Sequence, residues 1–238
     1  MSRFALIIGN ASYSCAKLTT PCEDTLVLAK KLRELNFQVE HRLNVGKDDF
    51  ENSLAEFGKK IEGADVALFF FAGVGFQIDG KNYLVPVDTD AGREHRLTWR
   101  SVELTKILEH MSRCSQTSLI FLDIARDLRF GDSLVHIGNI IRLSNTFVAF
   151  STEPGEVARD SVDGKHSPFV SALLPLIAEP GLSLSDLMTL VRTAVMKATN
   201  AEQIPWEQSS LLRPFYFNRE ITLSSMDLGV SKKVPHST

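Results

Sequence analysis

The stretch Ala64-Asp-Val-Ala-Leu-Phe-Phe-Phe71 is the most apolar run of the chain and decides the fold. Only a central strand that is covered on both faces tolerates such a run, and this arrangement is typical of a mostly parallel sheet flanked by helices. On the amino-terminal side, a buried strand at residues 4–8 and a helix over 21–36 are followed by a more exposed strand at 37–41. Strands therefore alternate with helices, which predicts an α/β domain.

The same alternation continues after the apolar run. Asp79-Gly80 lies between two β-prone arms and predicts a small hairpin. Further helices are predicted at 104–111 and 184–195, and further strands at 118–123, 146–150 and 215–217. The whole pattern predicts one domain over residues 1–220, with about six strands and helices on both faces. Residues 221–238, rich in Ser and Lys, are predicted to be a flexible tail.

Composition excludes several classes of protein. A length of 238 residues with 44% hydrophobic and 23% charged residues fits an ordinary soluble domain. The formal charge of −3 argues against a nucleic-acid partner, and no apolar run is long enough to predict a membrane span or a secretory leader. The three cysteines, Cys15, Cys22 and Cys114, have no C-x-x-C spacing, so reduced thiols and a cytoplasmic location are predicted.

Ligands of an open α/β sheet bind beyond the carboxyl ends of the strands, which directs attention to the loops at 9–21, 72–80, 124–132 and 151–168. The loop after the first strand is neither G-x-G-x-x-G nor a P-loop, and Gly73-Val-Gly75 leads into a hairpin rather than a helix. The chain also lacks a G-x-S-x-G motif and a His pair at helical spacing. We therefore expect no nucleotide cofactor and no metal site.

Several ordered blocks of the chain resemble those of bacterial caspase-like domains of the C14 peptidase clan, over roughly residues 3–218. The blocks are Arg3-Phe-Ala-Leu-Ile-Ile-Gly-Asn10, Pro21-Cys-Glu-Asp24, Phe69-Phe-Phe-Ala-Gly-Val-Gly75, Asp79-Gly-Lys-Asn-Tyr-Leu-Val-Pro-Val-Asp88, Phe121-Leu-Asp-Ile-Ala-Arg-Asp127, Phe150-Ser-Thr-Glu-Pro-Gly155, Ser167-Pro-Phe169, Ile204-Pro-Trp-Glu-Gln-Ser-Ser210 and Phe215-Tyr-Phe217. The resemblance implies a caspase-like fold.

The resemblance also implies which residues would carry catalysis. In that family an Ala-Gly-His-Gly loop supplies the general base and an Asp-x-Cys-Arg-Asp loop supplies the nucleophile. The matching positions here are Val74 and Ala125. Attack on a peptide carbonyl needs a sulfur and a neighbouring group that takes and returns a proton, and neither side chain can do this. We therefore expect a pseudo-peptidase that binds without cutting.

Three acids are candidates for a binding pocket. Asp24 and Asp123 resemble the carboxylates that hold an Arg or Lys side chain of the substrate in relatives such as metacaspases, and Asp127 is a further candidate. The alternative is that these carboxylates cap helices and bind backbone amides. The expected partner is a protein or a peptide with a basic side chain. Dimerisation through an edge strand and pairing with an active relative are the other options.

Two alternatives to a binding domain remain open. One is a cysteine peptidase with a displaced nucleophile, either Cys15 or Cys22, because the helix dipole at Cys22 would lower the pKa of its thiol. The other is a regulatory or decoy subunit of an active relative. Cys114 is interpreted as structural, and His95 and His166 as solvated loop residues.

Overall fold

The structure is a computed structural model and describes residues 1–14, 17–89, 94–125, 143–153, 158, 161 and 164–219. Its elements, in chain order, are β1 (Arg3–Gly9), α1 (Pro21–Glu34), β2 (Gln38–Leu43), α2 (Lys47–Lys60), β3 (Val66–Ile78), β4 (Lys81–Leu84), α3 (Glu94–Arg100), β5 (Val102–Glu103), α4 (Leu104–Cys114), β6 (Ser118–Ala125), β7 (Thr146–Phe150), α5 (Pro168–Leu176), α6 (Leu184–Ala198) and β8 (Trp206–Ser209). The predicted tail lies outside the described residues.

The main sheet has the strand order β2-β1-β3-β6-β7-β8. The first five of these strands run parallel to one another, and β8 closes the sheet antiparallel to β7. Strands β4 and β5 lie off this path as an antiparallel extension of β3. The prediction of a mostly parallel sheet of about six strands with a small hairpin is therefore confirmed.

Strand β3 is longer than the sequence indicated. A loop was expected at residues 72–75, but Ala72, Gly73 and Val74 continue the parallel pairing with β6, and Gly75 begins the antiparallel pairing with β4. The hairpin itself is confirmed. Its turn residues Asp79 and Gly80 have φ values of 51° and 75°, the left-handed backbone that an Asp-Gly turn supplies. One strand thus joins the main sheet to the hairpin.

Helices cover both faces of the sheet. Helices α1, α5 and α6 pack over the face that carries Phe70 and Phe121, while α2 and α4 pack over the face that carries Phe69 and Phe71. These rings are fully buried because alternate residues of β3 point to opposite sides, which explains why the apolar run is continuous. No helix among the described residues is long and apolar enough to cross a bilayer.

The closing strand was predicted in the wrong place. Trp206–Ser209, a mostly polar segment, pairs with β7, whereas Phe215-Tyr-Phe217 contributes only a single bridge between Tyr216 and Ser183. Phe217 is instead buried in the core, and Phe215 packs against it. The aromatic residues at 215–217 therefore hold the end of the domain in place by burying their side chains. The strand pairing with β7 is made instead by the backbone of residues 206–209.

Candidate functional site

The two positions at which the family resemblance locates catalysis lie side by side at the carboxyl edge of the sheet. Val74 on β3 is the register partner of Ala125 on β6, and Ala72 is likewise the partner of Asp123. Partners in a parallel pair point to the same face, and so do residues two apart along a strand. Val74 and Asp123 therefore lie on the same face of the sheet, the one that carries Phe70 and Phe121.

Val74 is buried in an apolar cluster that it forms with Tyr13, Phe76, Val85 and Leu97. Its side chain has no exposed surface. The Val74 N–H donates to the Tyr13 hydroxyl oxygen at 2.8 Å, and that hydroxyl donates to the Val85 carbonyl at 3.1 Å. The tyrosine thus closes the space beside β3, and a Cβ added at Gly73 would lie only 2.5 Å from its oxygen.

Asp24 and Asp123 both accept hydrogen bonds from the same residue, Ser167. The Ser167 N–H donates to Asp24 Oδ2 at 3.1 Å, and the Ser167 hydroxyl donates to Asp123 Oδ2 at 2.5 Å. The same hydroxyl oxygen accepts the Val170 N–H at 3.1 Å and so caps the amino terminus of α5. Asp24, at the start of α1, and Asp123, at the end of β6, therefore meet at the start of α5.

His166 completes this carboxylate network, which consists of Asp24, Asp123, His166 and Ser167. Its Nδ1 atom lies 2.6 Å from Asp24 Oδ1, and 24% of its side chain is exposed while Asp24 is fully buried. The interpretation of His166 as a solvated loop residue is therefore wrong, because the ring is held on a buried carboxylate. The signal that could have located this segment is Ser167-Pro168, a cap residue followed by proline at the first helical position.

Burial has the largest effect on the pKa of the Asp24 carboxyl group. Removal from solvent raises the pKa of its carboxyl group, and hydrogen bonds from Ser167, His166 and Thr20, together with the charge of His166, only partly oppose this. The carboxylate therefore already has partners within the chain. A basic ligand side chain that approached Asp24 would compete with His166.

The remaining predicted site residues are Asp127, Cys15 and Cys22. Asp127 and Cys15 lie outside the described residues. Burial raises the pKa of the Cys22 thiol more than its hydrogen bond to Asn44 lowers it, so the expected lowering by the helix dipole is wrong. Cys22 Sγ lies 3.8 Å from both the Gly9 carbonyl oxygen and Asn44 Oδ1, and neither group is a base.

Two buried hydroxyls next to the network were missed by the sequence analysis. Ser151 and Thr152 follow β7, and the Ser151 N–H donates to the Leu122 carbonyl beside Asp123. Neither hydroxyl has a hydrogen-bond partner among the residues that the structure describes. The same described residues contain no group of three or more His, Cys, Asp or Glu side chains that could hold a metal ion. Buried polar groups therefore extend beyond the carboxylate network at this edge.

Comparisons with known proteins agree with this architecture. A family model described as "Caspase domain" matches residues 2–216. The mucosa-associated lymphoid tissue lymphoma translocation protein 1 of Homo sapiens is 33% identical over 87 residues, and its Mus musculus homologue is 34% identical over 87 residues. These matches span 36% of this chain but only 11% and 10% of the two relatives.

A solved structure, that of the Drosophila initiator caspase Dronc, superposes with a TM-score of 0.65 at 15% identity. The match covers 91% of this chain and 82% of that one. At this identity the similarity establishes the fold alone. The predicted caspase-like α/β architecture is thereby confirmed.

Proposed function

Because the chain belongs to the caspase-domain family, we propose that Val74 and Ala125 replace the base and the nucleophile of an ancestral peptidase, and that the domain now acts by binding. Thiolate attack needs a sulfur next to a proton acceptor, and an isopropyl and a methyl group provide neither. The observation that carries this proposal is the register pairing of Val74 with Ala125 on adjacent strands. A nucleophile and its base at these two positions would stand on neighbouring strands at the same level of the sheet.

The burial of Val74 supports the same proposal. A base must reach both the nucleophile and the substrate, yet position 74 has no exposed surface and lies among Tyr13, Phe76, Val85 and Leu97. A peptidase with a displaced nucleophile is less well supported. The raised pKa of Cys22 leaves its thiol protonated at neutral pH, and its two polar contacts are with a carbonyl and an amide oxygen.

The carboxylate network is the proposed binding site, and a protein or peptide segment with an Arg or Lys side chain is the proposed ligand. A guanidinium forms paired charge-assisted hydrogen bonds with carboxylates, which suits Asp24 and Asp123. Since the His166 imidazole already forms a hydrogen bond with the Asp24 carboxylate, the ligand would have to displace this ring. Dimerisation through an edge strand, pairing with an active relative, a cytoplasmic location and a bacterial origin remain predictions.

The first experiment measures cleavage. The purified full chain is incubated with fluorogenic peptides that contain Arg or Lys, and we expect hydrolysis no faster than in buffer. The Cys15→Ser and Cys22→Ser variants serve as controls. Turnover that either substitution abolishes would establish a displaced nucleophile, and turnover that survives both would establish another catalytic group; either result refutes the proposal that the domain only binds.

The second experiment measures binding separately from cleavage. A fluorescent Arg-containing peptide is titrated against the protein and compared with the same peptide carrying citrulline, a neutral analogue of arginine. We expect the Arg peptide to bind about tenfold more tightly, because charge-assisted bonds to carboxylates are lost with citrulline. Asp24→Asn should remove this preference and His166→Ala should increase it. Asp186→Asn, an acid at the exposed start of α6, is the matched control.

A further inference from the structure

A second charged feature lies at the opposite, amino-terminal edge of the sheet. A cavity of about 400 Å³ opens there between the start of β1 and the segment after β8, and Arg3, Arg213 and Arg219 line it. This volume is within the range of sites for small ligands, which is roughly 300–1,000 Å³. None of the three arginines belongs to the carboxylate network, so this cavity is a separate site.

The positive charge in the cavity is not neutralised by the described part of the chain. Of the residues that the structure describes, Asp65 is the only acid that lines it, and its carboxylate accepts the Ser2 N–H at 2.6 Å and lies 3.9 Å from the Met1 amino group. Among the described residues, no carboxylate lies within 4.0 Å of any of the three guanidinium groups. Burial lowers the pKa of Arg3, and the charge of Arg219 lowers it further. Arg3 and Arg219 line the same cavity, so like charges are brought together there.

Arg3 is held in place before any ligand arrives. Its guanidinium donates to the Phe217 carbonyl at 2.7 Å and the Tyr216 carbonyl at 3.3 Å. The same group lies over the rings of Phe37 and Phe215, at 5.5 and 5.7 Å from their centroids. An arginine fixed in this way loses little conformational freedom on binding, which is the advantage of a preorganised site.

We propose that the cavity between Arg3, Arg213 and Arg219 binds a phosphate-bearing small molecule. Guanidinium groups match the geometry of phosphate oxygens and bind them through paired hydrogen bonds. A carboxylate carries a single negative charge, whereas a phosphate or diphosphate group carries two or more and so better balances three cations. This site does not depend on whether the domain cleaves peptides.

The test uses the full chain and inorganic pyrophosphate, with binding measured by calorimetry and by the rise in the melting temperature. We expect saturable binding that sodium chloride at equal ionic strength does not reproduce. Arg213→Gln and Arg219→Gln should each raise the dissociation constant about tenfold, the usual effect of losing a hydrogen bond to a charged group. Arg113→Gln, at an exposed arginine of α4 paired with Glu109, should leave it unchanged.

Two further ligands identify the source of the phosphate. Orthophosphate and ADP are titrated in parallel, and tighter binding of ADP than of pyrophosphate would indicate a nucleotide, while equal or weaker binding would indicate the phosphate group alone. Both results support the site. Absence of saturable binding of all three compounds would overturn the proposal, as would binding that the substitutions at Arg213 and Arg219 leave intact.

Discussion

Two neighbouring regions at the carboxyl edge of the sheet differ sharply in chemistry. The apolar cluster around Val74 is closed by hydrocarbon and by the Tyr13 ring, whereas the carboxylate network retains buried Asp24 and Asp123 with His166 and Ser167 as their partners. Both regions involve β3 or β6 at the same edge. One region is therefore filled by side-chain packing, whereas in the other the buried carboxylates form hydrogen bonds within the chain.

The sharpest test of the network is Ser167→Ala. This change removes the donor to Asp123 and the cap of α5 together. A lost cap costs about 1 kcal/mol and a lost hydrogen bond to a charged group about 1.5–3 kcal/mol, so we expect unfolding in urea to lose about 2–4 kcal/mol. Ser183→Ala is the control, since Ser183 is half-buried, caps α6 and donates its hydroxyl to Asp186, a carboxylate at an exposed position. Equal losses in the two variants would show that the buried bond to Asp123 contributes no more than the exposed one.

The apolar cluster is tested by Val74→Ala. Two buried methyl groups are removed, at about 0.8 kcal/mol each, and the resulting cavity adds to the loss, so we expect about 2 kcal/mol of destabilisation. Val39→Ala on the partly exposed edge strand β2 should cost clearly less. A negligible effect at position 74 in urea denaturation would contradict the view that valine is there for packing.

Tyr13→Phe removes the tyrosine hydroxyl from the apolar cluster and leaves the aromatic ring in place. Without the oxygen, the buried Val74 N–H loses its acceptor. We expect a loss of about 1–2 kcal/mol in thermal or urea unfolding, the cost of an unsatisfied buried donor. Tyr216→Phe is a control for removal of a tyrosine hydroxyl at a partly buried position. If both variants melt alike, the contact between Tyr13 and β3 does not hold the edge closed.

The smallest expected effect is a change in the pH dependence of stability. Burial raises the pKa of Asp24, so between its ordinary pKa of about 3.9 and the raised value the folded chain binds more protons than the unfolded chain. Stability should therefore fall as pH rises through this window. Asp24→Asn should lack this component of the slope. Melting temperatures of the two proteins are compared from about pH 4 upward, and parallel curves would show that Asp24 titrates alike in both states.

The sequence predicted the fold well because burial leaves a periodic pattern. The runs that became β1, β3, β6 and β7 are continuous and apolar, as strands covered on both faces must be. Strand β8 was missed because its polar residues carry no such pattern, and its position depends on the free edge of β7. The aromatic residues at 215–217 resembled a strand because core anchors and strands favour the same residue types.

The candidate site was predictable only where topology rules apply. Asp24 and Asp123 were expected near one edge because ligands bind at the carboxyl ends of parallel strands. His166 was not, since it lies 142 residues after Asp24 and no local pattern links the two. Tyr13 was missed for a similar reason, because its contact with β3 depends on how a loop folds back over the sheet.

The length of β3 determines how the domain opens. Its 13 residues are paired with β1 and β6 in the first half and with β4 in the second. Amide protons of the first half are enclosed by strands on both sides, so they exchange with solvent only when the whole domain unfolds. The hairpin at the other end opens with fewer bonds broken. We therefore expect a gradient of hydrogen exchange along this single strand, from global opening near Phe69 to local opening near Ile78.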